Sequence, residues 1–250
     1  MSELVGTPTD QLPGVLSKGT TDARYLFVSL SRRDPQGRDA EYIEWHSLDH
    51  RPEQHRLAAL RLSLRLVSTT QCRAARAASR EAYDDIDHVM TYVFTGPEQL
   101  PEFFALGGAL HDGGRMSVRL PPLGHITADL AGKLAAPRSV AGADVIPDRP
   151  ARGVYLMIER GHAAPHELID VPGVAGVWWY HGNVSPKPFK GDTTGLQISY
   201  LYLDDDPVAT AERLRPRLAE RWAGGDVEGL LAAPFHTIVP FEWSRHLPGG

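Results

Sequence analysis

Tyr25-Leu26-Phe27-Val28-Ser29-Leu30 is a short apolar run of strand-forming residues, and Arg32-Arg33-Asp34-Pro35-Gln36-Gly37 stops it with turn chemistry. Its pattern of Tyr, Leu, large apolar and β-branched returns at Gly153-Val154-Tyr155-Leu156-Met157-Ile158, offset by 130 residues from Tyr25 to Tyr155. Working outward from the first copy, Asp39 can cap a helix beginning at Ala40, and Pro52 disfavours helical geometry at Arg51, so the helix is expected to end near His50. Leu60, Leu62, Leu64 and Leu66 then alternate with polar Arg61, Ser63 and Arg65, which predicts a strand with one buried face. Ile86 to Phe94 reads as a third strand, with His88, Met90, Tyr92 and Phe94 on one side. Pro97 opens a helix with Leu100, Phe103, Phe104, Gly107 and Leu110 at helical spacing, and a strand near Gly124 to Asp129 follows. The order β, α, β, β, α, β is the split βαβ plan of ferredoxin-like modules.

From the second copy the order restarts. Val174 to His181 and Leu196 to Leu203 read as strands, Asp206-Pro207 opens a helix that Pro216 should kink, and Phe235 to Phe241 closes the module. The brief segment Pro165 to Asp170 stands where the first half has its long helix, and His236 is expected to match His125. The predicted organisation is an arm over 1–23, a ferredoxin-like module over 24–134, a linker over 135–150 and a second ferredoxin-like module over 151–250, an α+β chain.

Composition bounds the partners. A chain of 250 residues with 42% hydrophobic and 23% charged content can bury real cores, which rules out global disorder. The formal charge of −5 argues against phosphate-driven nucleic-acid binding. A single cysteine, Cys72, allows no internal disulfide and no thiolate metal cage, so a reducing, cytoplasmic setting is expected. No apolar run has membrane-spanning length, so no membrane partner is expected.

The segment Gly37-Arg38-Asp39-Ala40-Glu41-Tyr42-Ile43-Glu44-Trp45-His46-Ser47-Leu48-Asp49-His50-Arg51-Pro52-Glu53, placed after a strand, resembles the first helix and exit of EthD-like proteins. There an acidic helix carrying Trp is followed by His, Pro and Glu. These proteins belong to the dimeric α+β-barrel superfamily, whose two ferredoxin-like modules pack sheet to sheet, from two chains or from a tandem repeat, and this chain resembles the tandem kind. The resemblance implies relatives among cofactor-free monooxygenases, lactone isomerases, cyclases, aldoxime dehydratases and haem enzymes of the chlorite-dismutase type. Fold alone does not choose among them. The second half lacks the Trp and His helix, so a site carried by that helix is expected once per chain.

On that helix Tyr42, His46, Asp49 and His50 fall on one side, with Trp45 at its margin. An imidazole titrates near neutral pH, so His46 or His50 is the natural proton shuttle and Asp49 or Glu53 could fix its tautomer; the structural alternative is a solvated helix end. His46 and His50 also have the i, i+4 spacing that reaches a shared metal, but a third ligand from His55, Glu53, His125 or Asp49 has no recognisable spacing, so no metal is expected. His88, His125 and His236 on strands, with Tyr92, are candidates for a substrate pocket or for hydrogen-bonded core positions, as are Tyr42 and Trp45. Arg61 and Arg65 either face solvent or point into the barrel to hold an anion. Trp178-Trp179-Tyr180-His181 sends aromatic rings both ways, so one face is expected to be non-core or a cavity, and the loop over 183–194 is long enough for a lid or a plain surface excursion.

No dinucleotide fingerprint, phosphate loop, nucleophile elbow or cysteine pair occurs, so no cofactor is expected. The leading expectation is an enzyme performing cofactor-independent acid/base chemistry on a small, largely apolar organic molecule. That class includes isomerases, cyclases, decarboxylases and oxygenases. A non-catalytic small-molecule-binding or accessory protein of a catabolic or biosynthetic pathway comes second and a haem-binding relative third. A homodimer is compatible with each.

Overall fold

The computed structural model describes residues 4–12, 14, 20–80, 82–116, 118–186 and 191–249. In chain order its main elements are β1 (Tyr25–Ser31), α1 (Asp39–Trp45), a π turn (His46–His50), α2 (Arg51–Gln54), β2 (Leu60–Val67), α3 (Thr70–Ala74), β3 (Ala78–Ser79) and β4 (His88–Phe94). There follow α4 (Leu100–Asp112), β5 (Pro122–Ala135), β6 (Gly153–Arg160), β7 (Val174–Gly182), β8 (Leu196–Leu203), α5 (Pro207–Ala223) and β9 (Glu228–Thr237).

The strands run β2-β4-β1-β5-β7-β8-β6-β9 and all pair antiparallel. Leu66 and Val67 of β2 pair with Thr237 and His236 of β9, which closes the sheet into an eight-stranded barrel; β3 adds to the other end of β9. Each half has the ferredoxin-like order in which the first strand lies between the third and fourth and the second lies outside the third. Closure removes the edges that two open sheets would leave unpaired.

Strand alternation divides the apolar residues between two layers. Leu26, Val28 and Leu30 of β1, with Val154, Leu156 and Ile158 of β6, join Trp178, Tyr180 and Tyr200 inside the barrel. Tyr25 and Phe27 face outward to α4, as Tyr155 and Met157 do to α5. The two copies of the motif therefore do the same packing work in each half.

Several expectations are corrected. The first helix does not end at His50 but continues to Gln54. Pro52 has no N–H for the Leu48 carbonyl, and the backbone adapts by widening: the Arg51 N–H bonds the His46 carbonyl five residues back. Asp39 is the first helical residue rather than its cap, and its carboxylate accepts from the Asp34 N–H and from His88 Nε2. A bulge between Leu60 and Leu62 sends Leu60 to the helix side, while Leu62, Leu64 and Leu66 face the interior. Arg65 consequently faces the helices, not the barrel interior, and Arg61 is exposed and paired with Asp22.

The last strand of each half starts earlier than expected, at Pro122 and at Glu228, and β9 ends at Thr237. His125 stands opposite Ser29 while His236 stands opposite Gly153, near the other end of the corresponding pairing, so these histidines are not equivalent. Trp178 and Tyr180 of the aromatic run pack in the barrel core and Trp179 packs under the second-half helix layer, so both faces carry core residues. The expected linker over 135–150 is seated, with Ile146 in the core and the Ala143 carbonyl accepting from Trp178 Nε1. The arm docks on it through the Thr9 N–H to the Val140 carbonyl and through Asp10, which accepts from Ala143. Helix α5 is continuous through Pro216. In the expected lid, 187–190 lie outside the described residues, and Val184 bridges Asp192.

Candidate functional site

Between the outward face of the first-half sheet and its helices lies a cavity of about 590 Å³. Phe27 of β1, Met90 and Tyr92 of β4, and Phe103 and Phe104 of α4 form its apolar wall. The rings meet edge to face, with Tyr92 and Phe103 centroids 4.6 Å apart and Phe27 and Phe104 5.2 Å apart, a rigid arrangement that suits a flat organic molecule. Exposed His111 and Arg119 also line it and mark its solvent side.

The polar wall comes from α1, the π turn, α2 and β2: Tyr42, Trp45, His46, His50, Gln54 and Arg65. The π turn matters here, because it carries both imidazoles on one widened turn, with ring centroids 5.4 Å apart. π turns inside α-helices often stand at functional sites. His46 is buried, and its Nε2 lies 3.3 Å from the Tyr92 hydroxyl. His50 stacks on Trp45 with centroids 5.0 Å apart, and its Nε2 lies 3.0 Å from the Gln54 amide nitrogen. Among the described residues, Nδ1 of each has no hydrogen-bond partner.

Burial holds the His46 imidazole well below its ordinary pKa and lowers that of His50, and the Arg65 charge adds to both. Both rings are therefore neutral near pH 7. Burial pushes the Tyr92 phenol up, so it stays protonated as well. The site thus sets neutral His46, His50 and Tyr92 beside the buried Arg65 guanidinium.

The candidate residues divide as follows. His46, His50, Tyr42, Trp45, Tyr92 and His125 line the cavity, with His125 stacked on Phe27 at 5.9 Å. Asp49 does not touch either imidazole's nitrogen; it binds Arg115 at 3.0 Å on the outer side of the turn, so it does not set the tautomers, which Tyr92 and Gln54 contact instead. His88 lies behind the cavity, where its Nε2–H donates to Asp39 at 2.8 Å and its ring meets Tyr42 edge-on. His236 is remote, stacked on His246 at 3.8 Å. His55 bonds Ser63 and Glu53 bonds Arg115 and Arg56. Among the described residues no three His, Cys, Asp or Glu side chains converge as a metal site.

Sequence reasoning missed Gln54 and the phenylalanine wall. Gln54 stands four residues after His50, a helical spacing hidden by the expectation that Pro52 ends the helix. Phe103 and Phe104 were legible as helix-face residues, but consecutive aromatics reach both the core and a cavity only because α4 lies over β1.

Among the described residues, the place in the second half that corresponds to Ser29 is filled. Glu159 stands at the repeat of Ser29 and is fully buried; Arg221 Nε and Nη2 donate to it at 2.8 and 3.0 Å, and Trp222 Nε1 at 2.9 Å. A small serine leaves room in one half, and an ion pair with an indole fills it in the other.

No family model and no curated protein matches this chain. Among solved structures, it is similar to a protein provisionally assigned as a chlorite dismutase, with TM-score 0.52 and 11% identity over 88% of this chain and 97% of that one. It is also similar to a DypB variant from Rhodococcus jostii RHA1 in complex with heme, with TM-score 0.50 and 9% identity over 91% and 97%. An anthrone oxidase-like protein has TM-score 0.45 and 13% identity over 87% and 92%. The fold is that of the dimeric α+β barrels. No described helix is long and apolar enough to cross a membrane.

The residues here do not fit an axial haem ligand. Nε2 of His46 and of His50 is engaged, by Tyr92 and by Gln54, and His125 lies against Phe27.

Proposed function

We propose that this chain is an EthD-like, tandem-repeat member of its superfamily that performs acid/base chemistry on a small aromatic carbon acid bound in the first-half cavity. The observation that carries the reading is the pair of imidazoles on the π turn, buried His46 and half-buried His50, each with Nε2 engaged and Nδ1 unpartnered among the described residues, in one cavity with an aromatic wall. With Nε2–H donated to the Tyr92 oxygen, His46 keeps its Nδ1 lone pair and serves as the base. The Gln54 amide N–H donates to His50 Nε2, which leaves the His50 proton on Nδ1 as a donor.

In the first step a C–H bond next to a carbonyl breaks. Its proton goes to His46 Nδ1, and its electron pair moves onto the carbonyl oxygen, where the His50 N–H stabilises the enolate. Return of the proton to another carbon makes the cycle an isomerisation. The depressed basicity of the imidazoles keeps them neutral, with one proton each, at neutral pH, and the apolar wall excludes water that would compete for the enolate.

The test is deuterium uptake from D₂O at the activated C–H of a panel of aromatic ketones and phenols, followed by NMR. Uptake accelerated over buffer and lost in His46→Gln supports the reading. No acceleration for any member, or equal acceleration by the variant, overturns it in favour of a binding protein.

A further inference from the structure

The cavity wall is cationic and contains no carboxylate among its described residues: Arg65 and Arg119 line it with four histidines. The chain as a whole is acidic, so this sign is local. Arg65 is 4% exposed, yet no ion pair is formed with it among the described residues. Its Nη2–H donates to the Tyr42 hydroxyl at 2.9 Å, its guanidinium lies 4.7 Å from the Tyr42 ring centre, and its Nε–H has no partner.

Buried charges are ordinarily paired, because removing a guanidinium from water is costly. The nearby acids are committed elsewhere: Asp39 to His88, and Asp49 and Glu53 to Arg115. The Tyr42 ring compensates only part of the charge. A buried guanidinium in the wall of an aromatic-lined cavity, with one N–H given to a neutral hydroxyl and its Nε–H unpartnered, matches a planar anion, not a neutral hydrocarbon.

We infer that the ligand of this cavity enters as an aryl anion, a carboxylate or a phenolate, whose charged end is held by Arg65 while its ring lies among Phe27, Tyr92, Phe103 and Phe104. The inference rests on the cavity being the ligand site, as proposed above, but not on any role of His46 in proton transfer. It narrows the apolar organic ligand expected from sequence to one with a charged end.

The experiment titrates the protein with 2-naphthoate, its neutral isostere 2-naphthamide and inorganic phosphate, by calorimetry at pH 7.5. The expected result is naphthoate binding about tenfold or more tightly than naphthamide, with phosphate weaker than either. Arg65→Gln should bring the two aryl ligands to within about twofold, whereas Arg61→Gln, exposed and paired with Asp22 away from the cavity, should keep the preference. Arg65→Lys retains the charge without the fork and should keep a reduced preference, which settles the matter if Arg65→Gln does not fold.

Equal binding of naphthoate and naphthamide by the unmodified protein overturns the inference. So does binding of neither at millimolar concentration, phosphate binding as tightly as naphthoate, or a preference that survives Arg65→Gln. A preference that is present while deuterium exchange is absent removes the acid/base reading and leaves anion recognition standing. Exchange without the preference does the reverse.

Discussion

The Tyr92 hydroxyl lies 3.3 Å from Nε2 of His46, and both groups are buried between the sheet and the π turn. The contact joins a strand residue to a helix residue 46 positions earlier, so it fixes the ring only if β4 and the widened turn keep their registers. Any change that shortens the π turn by one residue would rotate His46 away from Tyr92.

Replacement of His46 or His50 by Gln should lower turnover by about 10²–10⁴-fold, the range for a positioned acid or base. Steady-state rates on any substrate found by the exchange panel check this. His46→Ala should also cost about 1–3 kcal/mol of stability, because the ring is buried among aromatic neighbours; a solvated helix end would have cost little.

The rate should be insensitive to pH across the neutral range. Burial and Arg65 lower both imidazoles, so the catalytic form is the neutral one and activity falls only below the ordinary histidine value of 6.5. A profile of kcat/KM between pH 4.5 and 8.5 measures the acid limb. A limb at or above that value contradicts the proposed electrostatics.

Stability should fall on acidification through the same physics at a different place. Burial, with the charge of His246 stacked on it, lowers His236 from 6.5 to about 4. The unfolded chain then binds a proton that the folded chain refuses, so the contribution is intact above pH 6.5 and is lost between there and about pH 4. The loss is roughly 3 kcal/mol for this residue. Urea midpoints at pH 7.5 and 4.5 should differ less in His236→Gln than in the unmodified protein.

Arg221→Ala should destabilise the fold by about 3–5 kcal/mol, because it strands the fully buried Glu159 carboxylate. Binding of 2-naphthoate in the first-half cavity should survive, since the ion pair plugs the other half. Thermal melts and the same calorimetry separate the two effects; loss of binding would mean that the halves are energetically coupled.

Much of this was legible in the sequence, and the exceptions have physical causes. Alternation at Leu26, Val28 and Leu30 and its copy at Val154, Leu156 and Ile158 announces strands with two different faces, and both faces are used. The position of Tyr42, His46 and His50 on one side of a helix survives because neighbouring helical residues cannot be separated by tertiary packing. Asp49 was misread because only the distant Arg115 decides where its carboxylate goes. The direction of Arg65 was ambiguous because alternation gives two faces but not which one meets the helices. Pro52 disfavours helical geometry at Arg51, yet Arg51 stays helical because the π turn before it accommodates the ring, and no local residue pattern signals that turn.

The claim at the centre is that the π turn holds two neutral imidazoles of opposite tautomer, one a base and the other a donor. Long-range ¹H–¹⁵N correlation spectra of histidine-labelled protein at pH 7 test it without any substrate. The expected result is His46 protonated at Nε2 and His50 protonated at Nδ1, each neutral. An imidazolium at either position, or the same tautomer at both, would contradict it.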